Sequence, residues 1–437
     1  MRRAIDTIIA ICILLGCGGL SSCVYEAGDL KQGGMDPEDI PHDDRVLLNF
    51  NIETSLLDQS NSVAEKISSL RIIVIGDGKV ECNRLVQFGS NTTAAGFGYN
   101  FQWRTSPGIK SLFFIANEDH TGDMSYQAQK GTTIPSNLPT SLTTLLDGYS
   151  PAANTNGREL ADVLTSAYFQ PDYNKTDGSV YIPYSSFYGN IHAEEQQVVP
   201  LDIYLVPVAT KFTFRFINRR KSQVQIDNIT VSQTNRTNWL LAQVYGNDVE
   251  KSFGDRKYYW VDWLAKVAEE SNKYPGFYDN MDFNDKYGWI SNYTMPVTED
   301  DTYDNIFIDE ATKFTIPAAI WENPEKFNPD TDESQVVMRG PFYAPESWNT
   351  YVYYDAATEQ WITTQRYALT IGIRDLSASS AKDPVFEDVT IGNLKSLFRD
   401  TSVLITLTMS EGKLEIYAEK TDWNHRYAQG WVVEGRP

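Results

Sequence analysis

Cysteine and histidine are both scarce, with four of each in 437 residues, and Cys12, Cys17 and Cys23 crowd into the first 23 positions. Cys82 is the single thiol of everything beyond, so no intrachain disulfide is expected to staple the folded part. His42, His120, His192 and His425 show no metal-ligand spacing with one another or with Cys82, which argues against a histidine-based zinc site. There is no Gly-x-Ser-x-Gly elbow, no phosphate-binding Gly-rich loop and no dinucleotide fingerprint. Ala344, Pro345 and Glu346 match a kinase tripeptide without the loop and lysine motifs that give it meaning. The expectation is a protein that is not an enzyme and carries no cofactor or metal. Basic residues are also short, 37 Lys and Arg against 58 Asp and Glu for a formal charge of -21. Such a surface repels phosphate, so nucleic acid is not an expected partner. Past the N-terminus no apolar run approaches the ~20 residues a membrane helix needs.

The N-terminus itself has a recognisable order. Arg2 and Arg3 lead into an apolar stretch from Ile8 to Leu15, and Gly16 to Ser22 shortens into small residues before Cys23. This reads as a signal peptide over residues 1–22. Leu20, Ser21, Ser22 and Cys23 match a lipobox, in which the cysteine is acylated and becomes the new N-terminus. Leu14, Leu15, Gly16 and Cys17 are a poorer match, because a bulky residue stands where a small one is usual. The reading places the mature chain at the cell outer membrane, lipid-anchored through Cys23 and surface exposed. Residues 23–45 carry Asp29, Asp36, Glu38, Asp39, Asp43 and Asp44 among glycines and prolines. They have little apolar surface to bury and read as a tether, spanning about 25 Å as a random coil.

From Val46 onward the dominant period is two. Val46, Leu48, Phe50 and Ile52 alternate with polar neighbours, as in a strand with one buried face. Leu70 to Ile75 is nearly all apolar, as expected of a strand covered on both sides, and Gly76, Asp77 and Gly78 form the turn after it. Phe212, Phe214 and Phe216 alternate in a segment that begins near Leu201. Val403, Ile405, Leu407 and Met409 alternate before a Ser410–Gly412 turn into Leu414, Ile416 and Ala418, which predicts a hairpin. Helical spacing is confined to Leu160, Val163 and Leu164, and to Trp260, Trp263, Leu264 and Val267 in a predicted helix over about 258–270. The predicted class is therefore all-β with few short helices.

Length favours two cores. The polar run Glu194, Glu195, Gln196 and Gln197 suggests a cut that gives one β-sandwich domain over 46–197 and a second over 198–437. Residues 272–312 and 322–358 lack steady periodicity and read as long polar surface loops of the second domain. Their carboxylate clusters, such as Asp279, Asp282 and Asp285, do not supply the ligand order of a calcium loop. Trp289, Tyr293, Trp348 and Tyr351 lie in this loop-like sequence and are candidate adhesive aromatics. A monomeric outer-membrane surface lipoprotein binding glycans through these exposed rings is one functional class the residues allow.

The order of features along nearly the whole mature chain resembles the fimbrillins that build type V pili in the Bacteroidia. The lipobox and acidic tether, the strand Val46 to Glu53, a polar loop, and Leu70 to Ile75 ending in Gly76–Gly78 follow that order. Ile115, Ala116, Asn117 and Glu118 resemble the family's "AN" strand end, and Val206 to Phe216 the strand opening its second domain. Arg399 and Asp400 before the strand Ser402 to Met409, then Leu414 to Ala418, Asp422 and Trp423, resemble its C-terminus. The resemblance implies two tandem transthyretin-like Greek-key β-sandwich domains and a structural or adhesive subunit of a surface fimbria. It also implies assembly with other fimbrial subunits by β-strand exchange, with no particular receptor indicated.

Under that resemblance the removable first strand is the one carrying Val46, Leu48, Phe50 and Ile52, and the candidate donor strand carries Trp431, Val432 and Val433. An Arg-specific protease removes the first strand in shaft subunits. Here the stretch from Thr54 to Ser69 contains Lys66 but no arginine. Cutting at Arg45 leaves the first strand in place, so Arg45 and Lys66 are the candidate processing positions, and an unprocessed accessory subunit, an anchor or a tip adhesin, is expected on equal terms with a shaft unit, the polar aromatic loops favouring the tip.

Overall fold

The computed structural model describes residues 46–54, 65–89, 92–94, 96–128, 134–153, 155–171, 173, 180–195, 198–242, 303–318, 336–348, 352–355, 360–363, 367–376, 385–390, 396–397, 399–410, 413–422 and 431–434. The predicted helix over 258–270 falls outside them, as do Cys23 and the tether.

The first strand, β1 (Val46–Thr54), has the strict alternation its sequence implies, with every second residue buried. It is followed by β2 (Ser69–Gly76), β3 (Lys79–Gln87), β4 (Gly98–Thr105) and β5 (Gly108–Ala116). A 3-10 turn at Glu118–His120 leads to the short β6 (Met124–Tyr126), helices α1 (Leu142–Asp147) and α2 (Gly157–Ser166), and β7 (Ala167–Phe169). Both helices start where expected for their side chains: Ser141 Oγ accepts from Thr144 N at 3.3 Å and Asn156 Oδ1 from Glu159 N at 3.2 Å. Then come β8 (Tyr184–Ala193) and β9 (Val198–Pro207), completing a seven-stranded sheet of order β3-β2-β5-β8-β9-β1-β4.

That sheet folds over at β8–β9, which are joined by two residue pairs only, Tyr184↔Pro207 and Ser185↔Val206. The fold-over makes a sandwich, because β1 and β5 are not sheet neighbours yet Phe50 meets Phe114 edge-on at 5.5 Å. Leu70, Ile72 and Val74 of β2 face this inner core, while Ile73 and Ile75 face a second layer with Leu145, Leu146, Leu160, Val163 and Leu164 of the helices. All eight residues of β2 are buried, so its continuous apolar run reflects cover on both faces. Cys82 lies in the inner core, and burial pushes its thiol up to about 12.

The second half repeats the layout. Its strands are β10 (Thr210–Asn218), β11 (Val224–Thr234), the short β12 (Asn238–Trp239), β13 (Tyr303–Ile308), β14 (Phe314–Ile316) and β15 (Val336–Ala344). There follow β16 (Ser347–Trp348), β17 (Val352–Asp355), β18 (Gln360–Thr363), β19 (Ala368–Asp375), β20 (Val385–Thr390) and β21 (Ser396–Leu397). The last are β22 (Thr401–Ser410), β23 (Lys413–Asp422) and β24 (Trp431–Glu434). Two five-stranded sheets, β15-β10-β22-β23-β24 and β13-β11-β19-β20 with β14 beside β11, enclose Phe212, Phe214, Phe216, Val403, Ile405 and Leu407. In the first half β1 lies between antiparallel β4 and parallel β9; in the second β10 lies between antiparallel β15 and parallel β22. The companion layers match as well, β3-β2-β5-β8 against β13-β11-β19-β20.

The sequence expectations need two corrections. Residues 198–207 form β9 beside β1, so they group with the strands before the expected cut at 197. The polar run at Glu194 and Glu195 lies between β8 and β9, which are adjacent in one sheet, and the apolar segment from Leu201 to Phe216 is two strands. Likewise 303–308 and 336–344, expected as loop, are the strands β13 and β15 at sheet edges. An edge strand has one open side and tolerates polar residues and a proline such as Pro341, which masks its period.

Candidate assembly site

β1 occupies an interior position. Eight of its residues pair with β4, from Val46↔Thr105 to Glu53↔Gly98, and eight with β9, from Leu47↔Val198 to Thr54↔Leu205. Both rows of its backbone groups are therefore used, and Val46, Leu48, Phe50 and Ile52 are all fully buried on the inner face. At sheet spacing, taking β1 out leaves a slot about 9–10 Å wide between β4 and β9, floored by apolar side chains.

The candidate donor is placed oppositely. β24, carrying Trp431, Val432 and Val433, ends its sheet and among the described residues pairs only with β23, through four residue pairs from Ala418↔Trp431 to Glu415↔Glu434. An edge strand held along one side is released at the cost of one row of hydrogen bonds, whereas β1 is held by two.

Of the two candidate processing positions, Arg45 lies outside the described residues. Lys66 does not sit in an open loop. Its N–H donates to Val180 O at 2.9 Å, and flanking bonds run from Ile67 N to Thr92 O at 3.1 Å and from Ala94 N to Glu65 O at 2.7 Å. A protease acting there must first open this pairing. The adhesive candidates Trp289, Tyr293 and Tyr351 also fall outside the described residues, and Trp348 is placed by its backbone in β16 opposite Ser396.

Asn117 explains the "AN" strand end physically. It adopts a left-handed φ of 55°, a conformation asparagine tolerates better than most residues. Its Oδ1 accepts from Ser68 N at 2.8 Å and Ser68 Oγ at 3.0 Å, and its Nδ2 donates to Lys66 O at 2.8 Å and Ile182 O at 2.7 Å. One amide thus ties three segments together. Next to it Glu118 takes a two-pronged contact from Arg71, Nε to Oε2 at 2.7 Å and Nη2 to Oε1 at 2.6 Å, and Arg71 also reaches Asp147 at 2.8 Å. Burial lowers the Arg71 pKa, but hydrogen bonds and charge from Glu118 and Asp147 outweigh it and leave the pKa raised.

A polar seam that sequence reading missed joins the two halves. Arg399, fully buried just before β22, donates from Nη2 to Glu346 Oε2 at 2.6 Å and to Trp239 O at 2.7 Å, and from Nη1 to Leu240 O at 3.2 Å. Glu346 Oε1 accepts from Arg399 N at 2.9 Å, and Glu346 N donates to Asn238 Oδ1 at 2.7 Å. Asn238 Nδ2 continues to Tyr173 Oη at 2.7 Å and Val208 O at 3.0 Å. Nearby, Glu65 Oε1 accepts from Lys211 Nζ at 3.0 Å and Tyr343 Oη at 2.6 Å. The tripeptide Ala344–Glu346 thus supplies a structural carboxylate. Arg399 and Glu346 were visible as residues, but no local pattern shows that positions 53 apart meet.

Burial in this seam raises the pKa of Tyr173, Tyr184 and Tyr343 above the ordinary value, with the Glu65 charge adding to it at Tyr184 and Tyr343. Unfolded tyrosine ionises at about 10, so the fold favours the neutral form. The contribution is constant below that pH and falls as pH rises through it. In an alkaline titration these three phenols are expected to ionise only together with loss of the β-sheet circular-dichroism signal. Titration of all 25 tyrosines near the ordinary value with the sheet signal intact counts against this seam.

No protein-family model matches the chain, and no curated protein does. Solved structures of fimbrial proteins are among those to which it is similar. The tip fimbrial protein Mfa3 from Porphyromonas gingivalis, with a C-terminal truncation, is 12% identical, with 87% of this chain and 100% of that one covered at a TM-score of 0.44. A fimbrial assembly protein from Parabacteroides distasonis is 10% identical over 89% and 98% of the two chains, TM-score 0.39. A fimbrilin from Porphyromonas gingivalis is 9% identical over 84% and 90%, TM-score 0.40.

Proposed function

We propose that this chain is a structural or adhesive subunit of a surface fimbria, exported as a lipoprotein through Cys23 and joined to other subunits by β-strand exchange. The observation that carries the reading is the pairing of β1. A strand that is interior to its sheet, apolar on one face and first among the described strands is one whose removal by a single cut leaves a continuous groove for an incoming strand. Such a strand restores two rows of hydrogen bonds and an apolar core face. β24, at a sheet edge near the C-terminus, is the matching donor.

The chain keeps β1 when cut at Arg45, and Lys66 is held in backbone pairing. A subunit with its groove filled cannot accept a strand and therefore ends the polymer in that direction. A tip or accessory position follows.

Mass spectrometry of the N-terminus, on protein from sheared filaments and from washed outer membranes, tests this. An acylated Cys23 or a start at Val46, in protein that co-purifies with filaments, is the expected result. A start between residues 55 and 69 in filaments makes this a shaft subunit instead. Protein that never enters filaments removes the fimbrial reading.

A further inference from the structure

The two edges of the seven-stranded sheet, β3 and β4, are not paired with each other. Between them lies a cavity of about 710 Å³, reached by Leu47 of β1 and by Pro151. One end is closed by Glu81, which accepts from Ser106 Oγ at 2.7 Å, from Lys110 Nζ at 2.8 Å and from Thr105 Oγ1. Elsewhere the lining includes three cations, Lys79, Arg84 and Arg104, together with Trp103. Arg84 places its guanidinium 5.5 Å from the centroid of Phe101, on which Trp103 is stacked at 6.3 Å.

Among the described residues none of the salt bridges takes Lys79, Arg84 or Arg104, in a chain of formal charge -21. The Trp103 indole Nε1 is buried and has no acceptor among the described residues, so Trp103 meets the cavity with its apolar ring.

We propose that this cavity binds a carboxylate-bearing saccharide of one or two rings. Guanidinium groups match a carboxylate in a two-pronged fork. Gln102 and Ser106 offer donors and acceptors for hydroxyls, and Trp103, Leu47, Val80 and Pro151 offer apolar surface for the ring face. The volume lies within the usual ~300–1,000 Å³ of small-ligand sites. Phosphate esters fit less well. The lining also contains Asp77 and Glu81, and a doubly charged group set beside two carboxylates is repelled where a single carboxylate is balanced by the cations. Leu47 belongs to β1 and Arg104 pairs with it, so the cavity is complete only where β1 is retained; the proposal does not otherwise depend on the chain entering a fibre.

Calorimetric titration of the full chain with a glucuronate-terminated disaccharide, against the neutral glucose-terminated disaccharide, tests it. The acidic sugar is expected to bind about tenfold tighter or more, in line with the strength of charge-assisted hydrogen bonds. Arg104→Gln, at an exposed position, is expected to remove that preference with an unchanged melting temperature, Arg84→Gln to remove it with some loss of stability from its contact with Phe101, and Trp103→Phe to weaken both sugars. Equal affinity for the two sugars, no binding at millimolar concentration, or a preference that survives both arginine variants overturns the proposal. So does binding by a synthetic peptide of residues 24–45 where the acidic sugar does not bind, which assigns the cavity to the chain's own acidic tether.

Discussion

A chain carrying Arg399→Met is expected to lose about 3–5 kcal/mol of stability, the usual cost of breaking a buried ion pair from one side. The substitution keeps the volume of the side-chain stem and removes the guanidinium. Glu346 then stays in the core without the cation that faces it, and the carbonyls of Trp239 and Leu240 lose the donor that reached them. Arg399 and Glu346 are 1% and 0% exposed, so solvent does not screen the loss. Urea denaturation followed by circular dichroism measures it. Glu346→Leu alone is expected to be comparably costly, and the double variant less costly than the two singles added together, because a neutral pair leaves no charge stranded. Additive costs, or a single Arg399→Met cost under about 1 kcal/mol as for a surface pair, contradict the seam described.

Phe50→Ala is the other large effect, again about 3–5 kcal/mol, from lost burial plus the cavity left behind. Phe50 is fully buried at the middle of β1, stacked on Phe101 at 5.9 Å and edge-on to Phe114 at 5.5 Å. No single neighbour can move in, because Phe101 and Phe114 sit on opposite layers of the sandwich. The adjacent outward residue, Asn49, makes one long side-chain contact, 3.5 Å from Gln102, and Asn49→Ala is expected to stay within about 0.5 kcal/mol. The contrast between adjacent positions is the readout, by denaturant midpoint. A register shifted by one residue reverses it, and with it goes the groove on which the proposed strand exchange depends.

Strands that present one clean face to a core were legible in the sequence. β1, β22 and β23 alternate because one face meets apolar side chains and the other does not, and β2 reads as a solid apolar run because helices cover its outer face. The C-terminal hairpin followed from the turn residues between Met409 and Leu414. Legibility failed where a strand has an open side: β13 and β15 carry asparagine, aspartate, glycine and proline that an interior strand would not accept. It failed again at residues 194–197, where a polar stretch between two strands of one sheet looks the same as a linker between domains. The buried ionic seam escaped notice for a different reason. Arg399, Glu346, Asn238 and Tyr173 each stand in ordinary polar surroundings along the chain, and only the packing of the two halves brings them together. The cavity between β3 and β4 has the same origin, since strand edges become walls only after the sheet has folded over.

The parallel pairing of β1 with β9 also sets a timetable. Asn51 and Asp202, in contact across that pair, are 151 positions apart, so the strand made first cannot be enclosed until the strand made last in its unit has arrived. A chain that emerges N-terminus first therefore carries the β9-facing edge of β1 open while about 150 residues follow it. Long-range closure of this kind is slow, and an unpaired strand edge in the meantime invites wrong partners. β10 waits in the same way for β22. Each half of the molecule thus keeps one strand edge open for the whole interval before its own strand closes the sheet, and a foreign strand offered in that interval meets a geometry that the finished fold covers.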